Sequence, residues 1–219
     1  MKRRQTFYHH ANTNMEKLET EVKFHLSDLQ SMHGRICKLG ARSQGRFFEK
    51  NLRFEDADNT LRHKKSLLRL RRDNKTTLTF KSPPPGRNNQ FKILKELEVE
   101  VNDFVTMGRI LEALGFHCDQ IYEKWRETLV LKQTQFCLDS MPYGNFLEIE
   151  GREEDIKSYA IRLGLHWGKR ILLNYLEIFD ILKKEMDLDF NDVTFDNFKN
   201  RRLDLTAYLS LMEADSSVF

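Results

Sequence analysis

Five segments of this chain alternate apolar residues with charge, and the sign of the charge is sorted by segment. Leu18-Glu19-Thr20-Glu21-Val22-Lys23-Phe24 alternates strictly, the mark of a β-strand with two unlike faces. Leu18, Val22 and Phe24 share one parity, and Glu19, Glu21 and Lys23 the other. Further on, Leu68 and Leu70 oppose Arg69 and Arg71, while Leu78 and Phe80 oppose Thr79 and Lys81. Leu97, Val99 and Val101 oppose Glu96, Glu98 and Glu100, and Leu147 and Ile149 oppose Glu148 and Glu150. Lys124 and Arg126 also share a parity, although Glu123, Trp125 and Glu127 opposite them make no clean apolar face. One such strand is explained by a sheet with a wet face. Five with acids and bases segregated are not, because solvent-facing positions usually mix Thr, Ser, Gln and Lys. A closed barrel with its apolar face outward under helices turns these charges into the lumen. Burying so many is costly unless partners compensate them. Divalent cations suit the acids and a polyanion suits the bases, and a site with both fits a triphosphate with bound metal.

The rest of the pattern supplies the elements. Ser27-Asp28-Leu29-Gln30 reads as a capping box for a helix through Leu29, Met32, Ile36 and Leu39, stopped by Gly40. Arg46 to Glu55 reads as a mixed strand. Leu67 to Asp73 and Thr76 to Lys81 form a hairpin, and Phe91 to Val101 is a strand. Pro83-Pro84-Pro85-Gly86 separates strands rather than domains. Asp103 caps a second helix that ends at Gly115. Strands follow at Phe116 to Leu131, Phe136 to Asp139 and Phe146 to Glu150. A third helix carries Ile156, Tyr159, Ala160 and Leu163, and a fourth runs from Ile171 to Glu185. The expected fold class is α+β: seven or eight strands, mostly consecutive antiparallel neighbours, with about four helices. Residues 1–14 read as a flexible basic arm, 15–199 as a single domain, and 200–219 as a tail with little fixed structure beyond a short helix at Leu203 to Leu211.

Composition narrows the partners. The 219 residues hold 36 basic and 33 acidic side chains, a net +3. Lys2, Arg3 and Arg4 account for that excess, so residues 15–219 sum to zero and a nucleic-acid partner is not expected. No run reaches the roughly 18 apolar residues of a membrane helix, and no signal peptide is visible. Cys37, Cys118 and Cys137 are odd in number and far apart, which fits a reduced, cytoplasmic compartment and neither a disulfide framework nor a zinc site. Cys118 and Cys137, on expected strands, read as packing residues. Neither G-x-G-x-x-G nor G-x-x-x-x-G-K-[ST] occurs.

The motifs and their order resemble a known family. Glu19-Thr20-Glu21-Val22-Lys23 is similar to the E-x-E-x-K signature of the CYTH superfamily, the triphosphate tunnel metalloenzymes. Leu68-Arg69-Leu70-Arg71, Leu78-Thr79-Phe80-Lys81, Glu98-Val99-Glu100, Glu123-Lys124-Trp125-Arg126, and Asp139 with Phe146-Leu147-Glu148-Ile149-Glu150 follow in the family's order. Leu111-Glu112-Ala113-Leu114-Gly115-Phe116 resembles the class IV adenylate cyclase (CyaB-like) branch. The resemblance implies a closed eight-stranded antiparallel barrel forming a triphosphate tunnel, with helices outside. It implies Mg²⁺ or Mn²⁺ held by Glu19, Glu21, Glu148 and Glu150, with Asp139, Glu98 and Glu100 as further ligands or orienting acids. It gives Lys23, Arg69, Arg71, Lys81, Lys124 and Arg126 to the phosphate oxygens, Lys23 and Arg126 among them as catalytic. The chain departs from the family at Ser82, at Tyr143-Gly144, and at Leu173-Asn174-Tyr175, where a base before a Ser-Tyr pair is common; the nearest bases here are Lys169 and Arg170. Three functions share this lumen. One is cyclisation of ATP to cyclic AMP and pyrophosphate. Another is hydrolysis of tripolyphosphate or thiamine triphosphate. The third is a non-catalytic polyphosphate or nucleotide binder, which the retained acids disfavour. A homodimer is left open.

Overall fold

The computed structural model describes residues 17–86, 88–201 and 203–214. The basic arm expected over 1–14 lies outside these residues. Among them, eight antiparallel strands close into a barrel: β1 (Lys17–Leu26), β2 (Arg42–Asp56), β3 (Leu67–Arg72), β4 (Thr76–Ser82), β5 (Lys92–Val101), β6 (Phe116–Leu131), β7 (Thr134–Met141) and β8 (Gly144–Glu150). Their order around the barrel is β1-β5-β4-β3-β2-β6-β7-β8, closed by the pairing of β8 with β1. In that order β2 stands four strands from β1 whichever way round, so the two face each other across the lumen.

Among the described residues, six α-helices lie on or beside the barrel: α1 (Leu29–Lys38), α2 (Thr60–His63), α3 (Phe104–Ala113), α4 (Glu153–Arg162), α5 (Tyr175–Glu185) and α6 (Phe195–Phe198). None is long and apolar enough to cross a membrane. Helix α1 starts one residue later than the expected box: Asp28, not Ser27, is the N-cap and accepts the Ser31 N–H at 2.9 Å. Gly40, at φ 97°, ends it in the left-handed conformation that glycine tolerates.

The strand parity places the core outside the barrel, as the alternation requires. Val22, Phe24, Leu147 and Ile149 pack outward against α1 and α4 through Met32, Ile36, Ile156 and Leu163. Phe54 and Leu70 pack against Leu111 of α3. A third cluster joins α5 to the C-terminal segment through Phe179, Leu182, Phe198, Leu205 and Met212. Among the described residues of the tail, the short helix expected at Leu203 to Leu211 has a counterpart. A 3₁₀ turn at Leu205–Leu211 packs on the body, and Glu213 bridges to Ile171. Helical cover is incomplete over β1 and β5, where Leu18, Leu97 and Val99 are exposed.

Helix α5 begins at Tyr175, four residues after the expected start. Ile171 is held extended by β1: Lys23 N–H donates to its carbonyl at 3.1 Å, and Ile171 N–H to the Lys23 carbonyl at 2.7 Å. Asn174 then caps the helix in a capping box with Glu177. This tether sets Tyr175 against the lumen.

Candidate active site

One cavity of about 680 Å³ runs through the barrel, within the usual range for a small-molecule site. It is lined by Glu19, Glu21, Glu148 and Glu150 of β1 and β8, and by bases on the other strands. Lys23, Arg69, Arg71, Lys81, Lys124 and Arg126 all line it, as does Glu98. Two candidates do not. Glu100 lies outside the cavity beside Lys75, at 3.6 Å and mostly exposed. Asp139 is fully buried behind the lining and orients bases: Arg126 reaches it at 2.5 and 2.6 Å, Lys124 at 3.2 Å and the Tyr175 hydroxyl at 2.6 Å.

The acids divide by environment. Burial works to raise the Glu148 pKa, but Lys23 (2.5 Å), Arg126 and Lys124 outweigh it and hold the carboxylate well below its ordinary range. Burial opposes ionisation of Glu21 too, yet Lys92 at 2.7 Å, with Lys23 and Lys81, brings it down to about 2. Glu19 accepts a hydrogen bond from Lys81. Glu150 behaves in the opposite way. Burial, reinforced by Glu19, Glu21 and Glu148, pushes it up to about 7 against the pull of Arg126. Ligand atoms of Glu19, Glu21 and Glu150 lie within 4.8 Å of one another. An all-oxygen donor set with one carboxyl forced toward neutrality fits a hard divalent cation, whose charge would relieve the repulsion.

Glu150 carries a testable consequence. Below its ordinary 4.5 the carboxyl is protonated in folded and unfolded chains alike. As pH rises through about 7, the folded protein must ionise a group that the unfolded chain ionised earlier, so this contribution to stability is lost between those values. The metal-free protein should melt lower at pH 8 than at pH 5, by at most on the order of 3 kcal/mol from this group. Glu150→Gln should flatten that decline in a chelator-treated melting series. A slope unchanged by the substitution would refute the assignment.

Several lining residues had no part in the sequence patterns. Glu49, Arg53 and Lys92 face the cavity, and so does Cys137, expected as packing. The Cys137 thiol donates weakly to Glu150 at 3.7 Å, and burial pushes its pKa well up. Cys118, the other expected packing cysteine, is exposed. The signal for β2 was present: Glu49, Asn51, Arg53 and Glu55 share one parity against Phe48, Leu52 and Phe54. Register shifts between Ser43 and Arg46 and between Arg53 and Phe54 interrupt its pairing with β6. Of the departing segment Leu173-Asn174-Tyr175, Tyr175 stands in the lumen, with Lys23 4.3 Å and Lys124 5.1 Å from its ring centre. Lys169 is exposed. Arg170 is buried and donates to the carbonyls of Asn89, Gln90 and Trp167, each at 3.1 Å.

Comparison with known proteins gives the same architecture. The CYTH domain model matches residues 17–185. A candidate adenylate cyclase from Methanocaldococcus jannaschii is 28% identical over 141 residues, covering 64% of this chain and 79% of that protein. A solved structure from Pyrococcus horikoshii is 29% identical with a TM-score of 0.62, covering 73% of this chain and 98% of the other. A candidate adenylyl cyclase from Hippeastrum, described as having dominant triphosphatase activity, shares the fold at TM-score 0.53 and 20% identity, covering 67% of this chain and 88% of that one. With the charged lumen, the closed strand order and the match over residues 17–185 in agreement, the chain belongs to the CYTH domain family.

Proposed function

We propose that the protein is a divalent-cation-dependent enzyme that acts on a triphosphate inside the barrel, and that the reaction is cyclisation of ATP to cyclic AMP and pyrophosphate. One observation carries the reading: a carboxylate cluster on β1 and β8 shares a cavity with buried bases on the facing strands. Glu19, Glu21 and Glu150, with Glu148 beside them, would hold Mg²⁺ or Mn²⁺. When bound, the cation neutralises phosphate charge and polarises the phosphoryl group. Arg69, Arg71, Lys81 and Lys124 hold phosphate oxygens; each guanidinium can take two at once. Lys23 and Arg126, both in contact with Glu148, counter the charge that develops on the leaving pyrophosphate as the ribose 3′-oxygen attacks the α-phosphorus. Asp139 fixes Lys124, Arg126 and Tyr175, so these donors are already oriented.

Hydrolysis is the second reading, favoured by the triphosphatase activity of the Hippeastrum relative. In it, water attacks the terminal phosphorus and the same residues bind the chain. Product analysis separates the readings. The protein is incubated with ATP, and separately with tripolyphosphate, plus Mg²⁺ or Mn²⁺. Cyclic AMP with pyrophosphate supports cyclisation, and orthophosphate supports hydrolysis. No product from either substrate, with binding intact, would leave a binding module.

Binding itself should appear in the melting temperature. A ligand that neutralises the lumen binds only the folded barrel, so stability rises with the logarithm of its concentration, by about 2.7 kcal/mol at a hundredfold excess over Kd. Tripolyphosphate with Mg²⁺ should raise the melting temperature more than either alone. An absent extra shift for the combination counts against a joint site.

A further inference from the structure

Strand β2 carries charge into the lumen opposite β1. Its Arg53 is paired in register with Arg69 of β3, and both are more than nine-tenths buried along the cavity. Like charges directly opposite one another on neighbouring strands destabilise a sheet. The acids near Arg53 do not resolve the conflict. Glu55 and Asp119 stand 3.8 and 4.0 Å away, beyond hydrogen-bond range. Glu55 already accepts the backbone N–H groups of Asp56, Leu61 and Arg62. Asp119 accepts Arg62 at 2.9 Å. Asp180, at the cavity wall, interacts with Arg53 only electrostatically and shares that interaction with Arg62. Among the described residues, the Nε atoms of Arg53 and Arg69 have no hydrogen-bond partner. Buried donors left in this way are costly, and an anion with several acceptor oxygens would satisfy both.

We infer that Arg53 and Arg69 form an anion subsite on the wall facing the carboxylate cluster, and that it takes the phosphate group of the substrate farthest from those carboxylates. The inference rests on the triphosphate reading and refines it. Arg53 then becomes a gauge of chain length, because the pair lies across the lumen from the acidic wall and a chain of three linked phosphates reaches farther from that wall than a chain of two. A guanidinium pair suits this task better than lysines, since each fork binds two oxygens of one phosphoryl group.

The test is calorimetric binding of tripolyphosphate and of pyrophosphate, each with Mg²⁺, to the wild type and to Arg53→Gln. Tripolyphosphate affinity should fall about tenfold or more, the size of one lost charge-assisted hydrogen bond, while pyrophosphate affinity holds. The melting temperature of the unliganded variant should stay or rise, because the repulsion with Arg69 is gone. Arg53→Lys, which keeps the charge, should give an intermediate loss for tripolyphosphate. Equal losses for both ligands, or no loss, overturn the gauge. So does a lower unliganded melting temperature with tripolyphosphate affinity kept, which would make Arg53 a structural partner of Glu55 and Asp119. A wild type that binds neither ligand overturns the triphosphate reading itself, an outcome distinct from the others.

Discussion

Glu19→Gln is expected to cut turnover at limiting Mn²⁺ by two orders of magnitude or more while leaving the barrel folded. The substitution keeps the side-chain volume and removes one of the three carboxylates whose oxygens gather within 4.8 Å. Loss of a partner to a metal ligand already costs about 10–100-fold, and loss of a ligand should cost at least that. Glu21→Gln should behave in the same way. Both acids also neutralise lysines, Glu19 with Lys81 and Glu21 with Lys92, so each variant should melt somewhat lower. Raising Mn²⁺ should restore part of the activity if the defect is in cation affinity. Near-normal turnover at limiting Mn²⁺ with Glu19→Gln would show that the carboxylate holds no cation.

The largest effect on stability is expected at Asp139. Its carboxylate is wholly buried and takes hydrogen bonds from Lys124, Arg126 and the Tyr175 hydroxyl. Asp139→Asn keeps the shape but leaves two buried cations with less neutralisation. Removing one partner of a buried ion pair typically costs about 3–5 kcal/mol. The unliganded melting temperature should fall by several degrees. Activity should fall too, because Arg126 and Tyr175 lose the group that orients them. Tripolyphosphate with Mg²⁺ should restore more stability to the variant than to the wild type, since the phosphate chain supplies the missing negative charge. An unchanged melting temperature would mean that Asp139 contributes orientation without net stability.

Much of the barrel was legible because strand parity has a period of two and the chain keeps it cleanly where one face is apolar. Leu18-Glu19-Thr20-Glu21-Val22-Lys23-Phe24 announces both a strand and which side chains share its lumen face. Where the alternation is broken, the reading stopped. Phe47 and Phe48 are adjacent on β2 and obscure the parity that Glu49 and Arg53 share, and Leu94 sits among the inward charges of β5 beside Lys92. The start of α5 was misplaced because apolar spacing through Ile171 and Leu172 fits a helix, whereas the backbone of Ile171 is claimed by β1.

The sequence by itself determined which residues alternate, hence which strands exist, which faces are apolar, and that acids and bases must share one interior. Only the tertiary structure decided who meets whom. Cross-barrel neighbours are set by strand order, which places β2 opposite β1 and pairs β8 with β1. That closure buries Glu150 and crowds it against Glu19 and Glu21, which raises its pKa to about 7, while Glu148, near Lys23, Arg126 and Lys124, is held low. Identical side chains two residues apart on one strand thus acquire opposite protonation behaviour. The reason is physical: a buried charge is governed by the sign and distance of groups brought to it from other strands, and linear spacing carries no record of them.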